Sequence, residues 1–490
     1  MAPTDSATSC QQDIGPDVQH RRKVRNFQIN LYPALCRSRD KNWYFHQYLA
    51  RLVGRHVLPG STVIDLGCGN GDMLAALKPT FGVGIDFNPV AIAEAKVKHP
   101  ELTFQEIEIE SVASLSLPKF DYVILSGVLP QLYDLHSSLA AIAGLCHRDT
   151  RLIIATFSRL WQPVIRLGEA CGLKQRIIDE SWLPSDEIGN ILAQNDFAMI
   201  RQTEGILLPL HVPLLSDLVN RWVAPLPWLR QLDLCTITIA RIVPATAADR
   251  TASVSVIVPV RNESGNIPML VNRLPVMADT QEVIFVEGNS SDNTWQAVQD
   301  AVKNYAGPFQ MRAMKQPGRG KGDAVRAGFG FASGEILLIL DGDLSVPPEE
   351  LPRFVDLIRS GRCEFANGSR LVYPMEDQAM QFLNMIANKC FGWMFTFLLG
   401  QRLRDTLCGT KVLRRENYLK IAGNRDYFGD FDPFGDFDLL FGAARLNLKI
   451  MDVPIHYKQR IYGSTNISRF RHGLLLIRMC AVAARKITFV

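Results

Sequence analysis

The chain has 490 residues, of which 47% are hydrophobic and 21% charged. This is the balance of a globular chain with about three domains' worth of core, and it excludes disordered and collagen-like proteins. A net charge of only +4 argues against nucleic-acid binding by the chain as a whole. The ten cysteines include no C-x-x-C or C-x-C pair, so the sequence predicts neither a zinc cluster nor a dithiol site and indicates a reduced, cytoplasmic protein.

Residues 1–25 are polar, contain a small basic cluster and lack the apolar core of a secretory signal. We interpret them as a mobile polar arm. No segment of the chain reaches the roughly 18 uncharged apolar residues that a membrane-spanning helix needs. We therefore expect any membrane contact to be peripheral, on the cytoplasmic face of the inner membrane.

Strand-like runs of β-branched residues alternate with helical stretches, which predicts an α/β fold. Two of these runs, 61–66 and 253–260, look like the opening strand of a domain. A stretch of small residues without apolar periodicity lies between them at 244–252, and we interpret it as a linker. The sequence thus predicts two Rossmann-like domains, at 26–243 and 253–470.

A glycine-rich turn follows the first opening strand. The stretch Asp65-Leu-Gly67-Cys-Gly69-Asn-Gly71 precedes a helical segment, and glycines let a backbone turn tightly and approach a ligand at a helix N-terminus. The next strand ends in Asp86, whose carboxylate can accept hydrogen bonds from both hydroxyls of a ribose. The sequence therefore predicts a nucleoside-binding site here.

This half of the chain, over residues 40–240, resembles class I S-adenosylmethionine-dependent methyltransferases. The glycine turn is similar to their first motif, and the strand ending in Asp86 to their ribose-binding strand. The resemblance implies S-adenosyl-L-methionine as cofactor, held by Asp65, the three glycines of the turn, Asp86 and Glu108, which stands where the family places an acid near the adenine. Asp72 occupies the position of the third glycine of a dinucleotide-binding turn, which argues against NAD.

The methyl acceptor is not specified by the sequence. Methyl transfer from a sulfonium needs positioning and in some cases a base, but no metal. His136, Tyr133 and His147 lie beyond the fourth predicted strand, where substrates of such enzymes often bind, and the sequence assigns none of them as the base. A domain that binds the cofactor without turnover is the alternative.

The second half carries acidic side chains at its strand ends. Asp341-Gly-Asp343 follows a buried type of strand, and residues two apart at a strand end point the same way. The two carboxylates can therefore hold one divalent cation, Mg²⁺ or Mn²⁺, with diphosphate oxygens completing the shell. Glu287 and Asp292 follow another strand, and Lys321 lies in a basic glycine loop that could approach phosphate.

These motifs resemble family 2 inverting glycosyltransferases of the GT-A fold over residues 253–470, and most nearly polyprenyl-phosphate (dolichyl-phosphate) mannosyl- and glucosyltransferases. The layout is similar to bacterial fusions of a methyltransferase with such a domain, which implies a role in cell-envelope biosynthesis. Glu287 replaces the aspartate that reads the base in the family, so the nucleotide stays open. The resemblance implies a nucleotide-sugar site formed by Pro259, Glu263, Glu287, Asp292 and Lys321.

The acceptor decides which further residues the reaction needs. A lipid phosphate is already anionic and needs cations, for which Arg370, Lys411 and Arg460 are candidates. A hydroxyl of a glycan or small molecule needs a general base, and Asp436 or Asp438 of the later acidic motif could serve. A scaffold that binds nucleotides without turnover is a third hypothesis.

Two stretches near the C-terminus could meet a membrane. Residues 380–399 are rich in large apolar side chains, and residues 453–490 contain seven Lys or Arg and no acidic residue. We predict a basic amphipathic helix over 471–490, which suits the surface of anionic lipid. Packing as ordinary core helices is the alternative for both stretches.

Overall fold

A computed structural model describes residues 16–132, 134–171, 183–243, 251–373, 382–425, 436–458 and 469–489. These residues divide into two compact units. The first consists of the described residues up to Phe197 together with Glu204–Asp217 and Leu232–Ile237, and the second of the other described residues. In the part of the chain that is described, no helix has both the length and the apolar character needed to cross a membrane.

The first half of the chain forms a seven-stranded sheet in the order β3-β2-β1-β4-β5-β7-β6. Its strands are β1 Thr62–Leu66, β2 Phe81–Asp86, β3 Thr103–Glu106, β4 Phe120–Ser126, β5 Cys146–Phe157, β6 Phe197–Gly205 and β7 Cys235–Ile242. Its helices are α1 Pro16–Lys41, α2 Trp43–Gly54, α3 Asp72–Leu77, α4 Pro89–Lys98, α5 Leu135–Gly144, α6 Gln162–Ala170, α7 Ser185–Gln194 and the single turn α8 Leu215–Leu218.

The order of the first sheet creates a crevice beyond β1. Strands β1 and β2, β2 and β3, β1 and β4, and β4 and β5 pair in parallel. The chain runs from β1 outward to β3 and then returns to the other side of β1 for β4. Ligands of open α/β sheets bind at such a switch point, outside the carboxyl ends of the strands. The predicted glycine turn follows β1 directly at this place.

The second half forms another seven-stranded sheet, in the order β10-β9-β8-β11-β13-β12-β14. Its strands are β8 Val254–Val260, β9 Gln281–Glu287, β10 Gln310–Lys315, β11 Ile336–Ile339, β12 Phe365–Ser369, β13 Lys411–Arg414 and β14 Ile450–Pro454. Its helices are α9 Ile267–Arg273, α10 Thr294–Asn304, α11 Lys321–Phe331, α12 Leu351–Arg359, α13 Phe382–Leu399, α14 Arg415–Gly423, α15 Asp436–Arg445 and α16 Arg469–Ala483.

This sheet is mixed. Strands β8, β9, β10 and β11 run parallel, whereas β13 is antiparallel to both β11 and β12. The inner strands are buried on both faces, which is why they read as continuous apolar runs in the sequence. A second switch point lies between β8 and β11, and the acidic Asp341-Gly-Asp343 motif follows β11 there.

Helix α1 differs from the predicted mobile arm. It begins at Pro16, a residue that is favoured in the first turn of a helix, and so includes residues 16–25. Its side is held by ion pairs and hydrogen bonds to residues far along the chain: Arg25 to Glu106 at 2.7 Å and Tyr32 to Glu94 at 2.6 Å. Residues 1–15 lie outside the described part, as does most of the predicted linker.

The two stretches predicted to be candidates for membrane contact bury apolar side chains inside the second unit. In α13, the Phe395 ring packs against Phe441 with centroids 4.9 Å apart. In α16, Leu476, Met479 and Cys480 are buried at the three- and four-residue spacing of a helix face. This face of α16 is therefore covered by protein, which corrects the expectation that it lies on lipid.

Candidate functional sites

The glycine turn after β1 has a backbone that only glycine adopts at low cost. Gly67, Gly69 and Gly71 have φ values of +81°, +53° and +81°. Space is also short, because a Cβ at Gly67 would overlap the Val128 side chain and one at Gly71 would overlap the Phe104 ring. The turn thus brings bare backbone to the crevice beyond β1.

Asp86 holds this turn in place from the end of β2. Its carboxylate accepts hydrogen bonds from the Gly69 N–H at 2.9 Å and the Asn88 N–H at 2.8 Å. Burial raises the pKa of Asp86, although these backbone hydrogen bonds oppose the change. Asp65 lies deeper, and burial together with the Asp86 charge raises its pKa to about 7.

A cavity of about 630 Å³ opens over the turn. Of the residues predicted to bind the cofactor, Gly67, Gly69, Asp86 and Glu108 line this cavity, whereas Asp65 and Gly71 do not. The volume is within the range of small-molecule sites. The geometry therefore brings four of the six predicted residues to one concave surface.

Residues that the sequence did not single out form the rest of the cavity wall. Tyr32 and Arg39 of α1, His46 of α2 and Phe157 of β5 all line it. Burial and the nearby Arg39 charge lower the pKa of His46 to about 4, so its imidazole is neutral at pH 7. No local motif marks these residues, because they reach the cavity only through the packing of distant elements.

Two of the three side chains considered as a methyltransfer base, His136 and His147, are described and are not part of this wall. His136 contacts the Asn195 side chain at 3.2 Å, and His147 lies 3.4 Å from Asp121. Neither histidine lines the cavity. Tyr133 lies outside the described residues.

Asp72 occupies the position where a dinucleotide-binding turn has glycine, and its carboxylate is directed to the end of α4. There it forms an ion pair with Lys98 at 2.7 Å and a hydrogen bond with the His99 Nε2 at 3.0 Å. Burial alone would raise the pKa of Asp72, but the hydrogen bonds from these two residues lower it. Asp72 does not line the cavity, so it leaves the ligand space free.

In the second unit, the acidic motif after β11 combines a paired and a buried carboxylate. Asp341 lies 2.6 Å from the Lys321 ammonium, and the backbone of Gly409 packs so closely that a Cβ there would overlap both side chains. Asp343 is buried and accepts hydrogen bonds from the Ser345 N–H at 3.0 Å and hydroxyl at 2.6 Å. The sheet edge thus brings together three predicted residues.

The residue inside this motif's turn is strained. Leu344 directly follows Asp343 and has a φ of +57°, a left-handed conformation that is costly for residues with a Cβ. Its side chain is buried in the core of the unit, which offsets that cost. The core therefore fixes the backbone that aims the Asp343 carboxylate, a pattern that is typical of functional sites.

The predicted nucleotide-binding residues lie in the loops after β8 and β9. Pro259 belongs to the end of β8. The Glu263 carboxylate accepts a hydrogen bond from the Asn266 amide at 2.5 Å, and Asp292 accepts one from the Ser264 hydroxyl at 2.9 Å. The Asp292 contact therefore ties the two loops together, whereas the Glu263 contact lies within its own loop.

Glu287, which replaces the family's usual aspartate, ends β9. It is buried, and one oxygen of its carboxylate accepts a hydrogen bond from the Ser290 N–H at 2.5 Å. The longer side chain thus bends back to the loop that follows its own strand. This contact shapes the loop at the predicted base-binding position.

Among the predicted acceptor cations, Arg370 forms a bidentate pair with Asp405, with Nε and Nη2 at 2.7 and 2.8 Å from the carboxylate oxygens. Although burial by itself would raise the pKa of Asp405, the Arg370 charge lowers it to about 2. The Arg370 guanidinium also lies over the Tyr457 ring, 5.0 Å from its centroid. Arg370 is therefore held rigidly.

Lys411, which the sequence suggests as a cation for the acceptor phosphate, lies in the protein interior. Its side chain is fully buried, and its ammonium donates hydrogen bonds to the Cys408 carbonyl at 2.6 Å and the Asn367 amide oxygen at 3.2 Å. An acceptor phosphate cannot reach it without a rearrangement, so we correct its role to a structural one. Arg460 lies outside the described residues.

The later acidic motif begins α15. Asp438 is buried and accepts a hydrogen bond from the Arg425 Nε at 2.8 Å. Burial would lower the pKa of Arg425, but the Asp438 charge raises it. The backbone of Asp436 starts the helix, and its side chain lies outside what the structure describes. The carboxylate of Asp438 is therefore engaged with a cation.

The chemistry of the donors decides whether a metal fits the acidic motif. Across the described ranges, no group of three or more His, Cys, Asp or Glu side chains is placed to hold a metal ion. Asp341 and Asp343 offer carboxylate oxygens, the donors that hard divalent cations prefer. These residues fit such an ion only if a ligand supplies further oxygens.

Comparison with known protein families identifies both halves. Residues 58–198 match the model of a methyltransferase domain, and residues 255–421 match that of glycosyl transferase family 2. The chain is therefore an enzyme that combines a methyltransferase domain with a family 2 glycosyltransferase domain. This confirms the predicted α/β class and the two resemblances seen in the sequence.

Among curated relatives, the chain is 29% identical over 233 residues to the polyprenol monophosphomannose synthase of Mycolicibacterium smegmatis, covering 46% of this chain and 84% of that protein. It is 34% identical over 168 residues to the dolichol-phosphate mannosyltransferase of Pyrococcus furiosus, covering 33% of this chain but only 46% of that protein. The matched region is thus homologous to polyprenol-phosphate sugar transferases.

Solved structures are similar to each half separately. The magnesium protoporphyrin IX methyltransferase of Synechocystis, with S-adenosylhomocysteine bound, has a TM-score of 0.33 and 21% identity, covering 46% of this chain and 99% of that one. The glucosyl-3-phosphoglycerate synthase of Mycobacterium tuberculosis has a TM-score of 0.36 and 17% identity, covering 50% and 85%. Because both scores are low, the fold assignment rests on the strand order and the family matches.

Proposed function

We propose that the second unit transfers a sugar from a nucleotide-sugar to a polyprenyl phosphate, with inversion at the anomeric carbon. The observation that carries this proposal is the Lys321–Asp341 pair beside buried Asp343, at the carboxyl end of β11. It is supported by homology to enzymes named for polyprenol, dolichol and undecaprenyl phosphates. We place the activity on the cytoplasmic face of a membrane, in cell-envelope biosynthesis.

The proposed reaction needs positive charge and no base. An acceptor phosphate oxygen attacks the anomeric carbon, and the bond from that carbon to the donor diphosphate breaks with its electron pair on the diphosphate. The attacking oxygen is already anionic, so no proton has to be removed. Lys321 can exchange Asp341 for the diphosphate, and Arg370, fixed by Asp405, is the described candidate for the acceptor phosphate.

A divalent ion, Mg²⁺ or Mn²⁺, would be held by Asp341 and Asp343 together with oxygens of the donor diphosphate. When bound, it would neutralise charge that develops on the leaving diphosphate. The protein itself holds the two carboxylates at one strand end. Asp343 is fixed by its hydrogen bond from Ser345, and Asp341 lies beside Lys321.

A hydroxyl acceptor is the second candidate, with Asp438 as the general base. The Arg425 Nε donates a hydrogen bond to one oxygen of this carboxylate at 2.8 Å, so that oxygen is already engaged. A lipid-phosphate acceptor does not need this carboxylate, whereas a hydroxyl acceptor does. Asp438→Asn should therefore reduce turnover strongly with a hydroxyl acceptor and weakly with polyprenyl phosphate.

Nucleoside diphosphate release tests the main proposal. The protein is incubated with UDP- or GDP-sugars, Mg²⁺ or Mn²⁺, and polyprenyl phosphate. We expect release that requires the lipid, is lost in Asp343→Ala, and persists in Asp356→Ala, a control at an exposed acid of α12. Release that is unaffected by the lipid, or by Asp343→Ala, would contradict the proposal.

We further propose that the first unit binds S-adenosyl-L-methionine and catalyses methyl transfer. Support comes from the cavity over the glycine turn, which Gly67 lines with bare backbone and Asp86 with a carboxylate. The cofactor supplies an electrophilic methyl group, and the turn and Asp86 would orient its nucleoside. Titration with S-adenosylhomocysteine in a calorimeter tests this, and an absence of binding would refute it.

A further inference from the structure

The first unit exposes a group of large apolar side chains on two neighbouring segments. Apolar residues are normally scattered on a monomer surface, and contiguous patches mark interaction sites. One segment is the turn and helix around α6, and the other is the loop that follows β6. We call these side chains the apolar rim: Leu160, Val164, Leu167, Leu210, Leu214 and Leu215.

The rim surrounds an opening of the cavity over the glycine turn. Val164 and Leu210 both line the cavity, and yet they are 55% and 62% exposed. Residues that face both the cavity and the solvent mark the place where the two meet. Because Val164 belongs to α6 and Leu210 to the loop after β6, the two rim segments face each other across this opening.

The loop after β6 is built to project an apolar tip. The Ser216 hydroxyl accepts a hydrogen bond from the Val212 N–H at 2.8 Å and donates one to the Leu210 carbonyl at 2.5 Å, which closes the loop. At its tip, Leu214 has a φ of +64° and is 90% exposed. A strained leucine with almost no contact to its own chain adds nothing to the core.

The side chains around the rim carry both signs of charge, with an excess of cations. Arg159 and Arg166 are exposed on the same segment as Leu160 and Leu167. Glu169 and Asp217 directly follow the two segments, and Asp217 lies 3.9 Å from Arg51. At the edge of the rim, the Trp43 ring packs against His211 with centroids 4.9 Å apart. Leucines flanked by arginines and an amphipathic aromatic ring are the composition of surfaces that lie in the headgroup region of anionic bilayers.

We propose that the apolar rim is a membrane-docking surface, which inserts shallowly into an anionic lipid bilayer and turns the opening of the cavity toward it. This goes beyond the proposed methyl transfer, and it does not depend on which molecule is methylated. It also differs from the stretches that the sequence indicated, because it lies in the first unit.

Flotation with lipid vesicles tests the inference on the full chain. The vesicles contain phosphatidylcholine with phosphatidylglycerol, or phosphatidylcholine alone. Burying one leucine changes a partition constant by about tenfold or more, so Leu167→Ser/Leu214→Ser should weaken binding to the anionic vesicles by about a hundredfold. Val97→Ser, at an 83% exposed position of α4, is the matched control and should bind like the unmodified protein.

Several results would overturn the proposal: equal vesicle binding by the double variant and the control, no vesicle binding by the unmodified chain, or a dimer that the double variant converts to monomer. The last would identify a second copy as the occupant of the rim.

S-adenosylhomocysteine titration reports separately on the cavity. Retained binding in the double variant shows that its fold is intact, and failure of all variants to bind would refute the methyltransferase proposal alone.

Discussion

Replacing Gly67 with alanine tests whether the glycine turn shapes the cofactor site. Gly67 has a φ of +81°, and the left-handed conformation costs a residue with a Cβ about 1–2 kcal/mol. The new Cβ would also overlap Val128, and overpacking costs about 1–3 kcal/mol. We therefore expect Gly67→Ala to lower the free energy of unfolding by about 2–5 kcal/mol. Because Gly67 lines the cavity, S-adenosylhomocysteine affinity should fall as well.

The chain offers a matched control at Gly60. Its φ is +78°, but no atom lies within 4 Å of an added Cβ, so Gly60→Ala carries only the backbone cost. A Val128→Ala background should recover the steric part of the Gly67→Ala loss, measured as a double-mutant cycle. Urea unfolding and calorimetric titration provide the two readouts. Equal losses of stability at both glycines, or unchanged affinity in Gly67→Ala, would refute the reasoning.

Three further outcomes are expected. Asp86→Asn removes a charged hydrogen-bond acceptor worth about 1.5–3 kcal/mol, so calorimetry should show S-adenosylhomocysteine affinity lowered at least about tenfold. Asp343→Asn should reduce nucleoside diphosphate release by about a hundredfold, while Asp356→Asn leaves it unchanged. The pKa of Asp405 is lowered from 3.8 to about 2 in the folded protein. The ionised carboxylate therefore stabilises the fold above pH 4 by about 2–3 kcal/mol, and this stabilisation is lost as the pH falls toward 2 and the carboxylate is protonated. In acid unfolding, Asp405→Asn should be less stable at neutral pH and lose less on acidification; an unchanged profile would contradict the pairing with Arg370.

The sequence was informative wherever a site is built from neighbouring residues. The turn from Gly67 to Gly71 and the pair Asp341 and Asp343 follow buried apolar strands, whose ends are visible as a change from β-branched to glycine and acidic residues. Because the strand orders place β1 and β11 at the switch points of their sheets, the motifs that follow these strands lie there as well. The class of fold and the place of each candidate site at a strand end could therefore be predicted without coordinates.

Packing between distant segments decided the rest. Lys411 and Arg370 look equivalent as cations in the sequence, but one is sealed in the core and the other is paired with Asp405. In the same way, helix α1 and His46 reach the first cavity through contacts that no local pattern encodes. The sequence by itself determined which strands are followed by a glycine-rich or acidic motif. Only the tertiary structure decided which side chains stay accessible, because burial and ion pairing depend on residues that meet after folding.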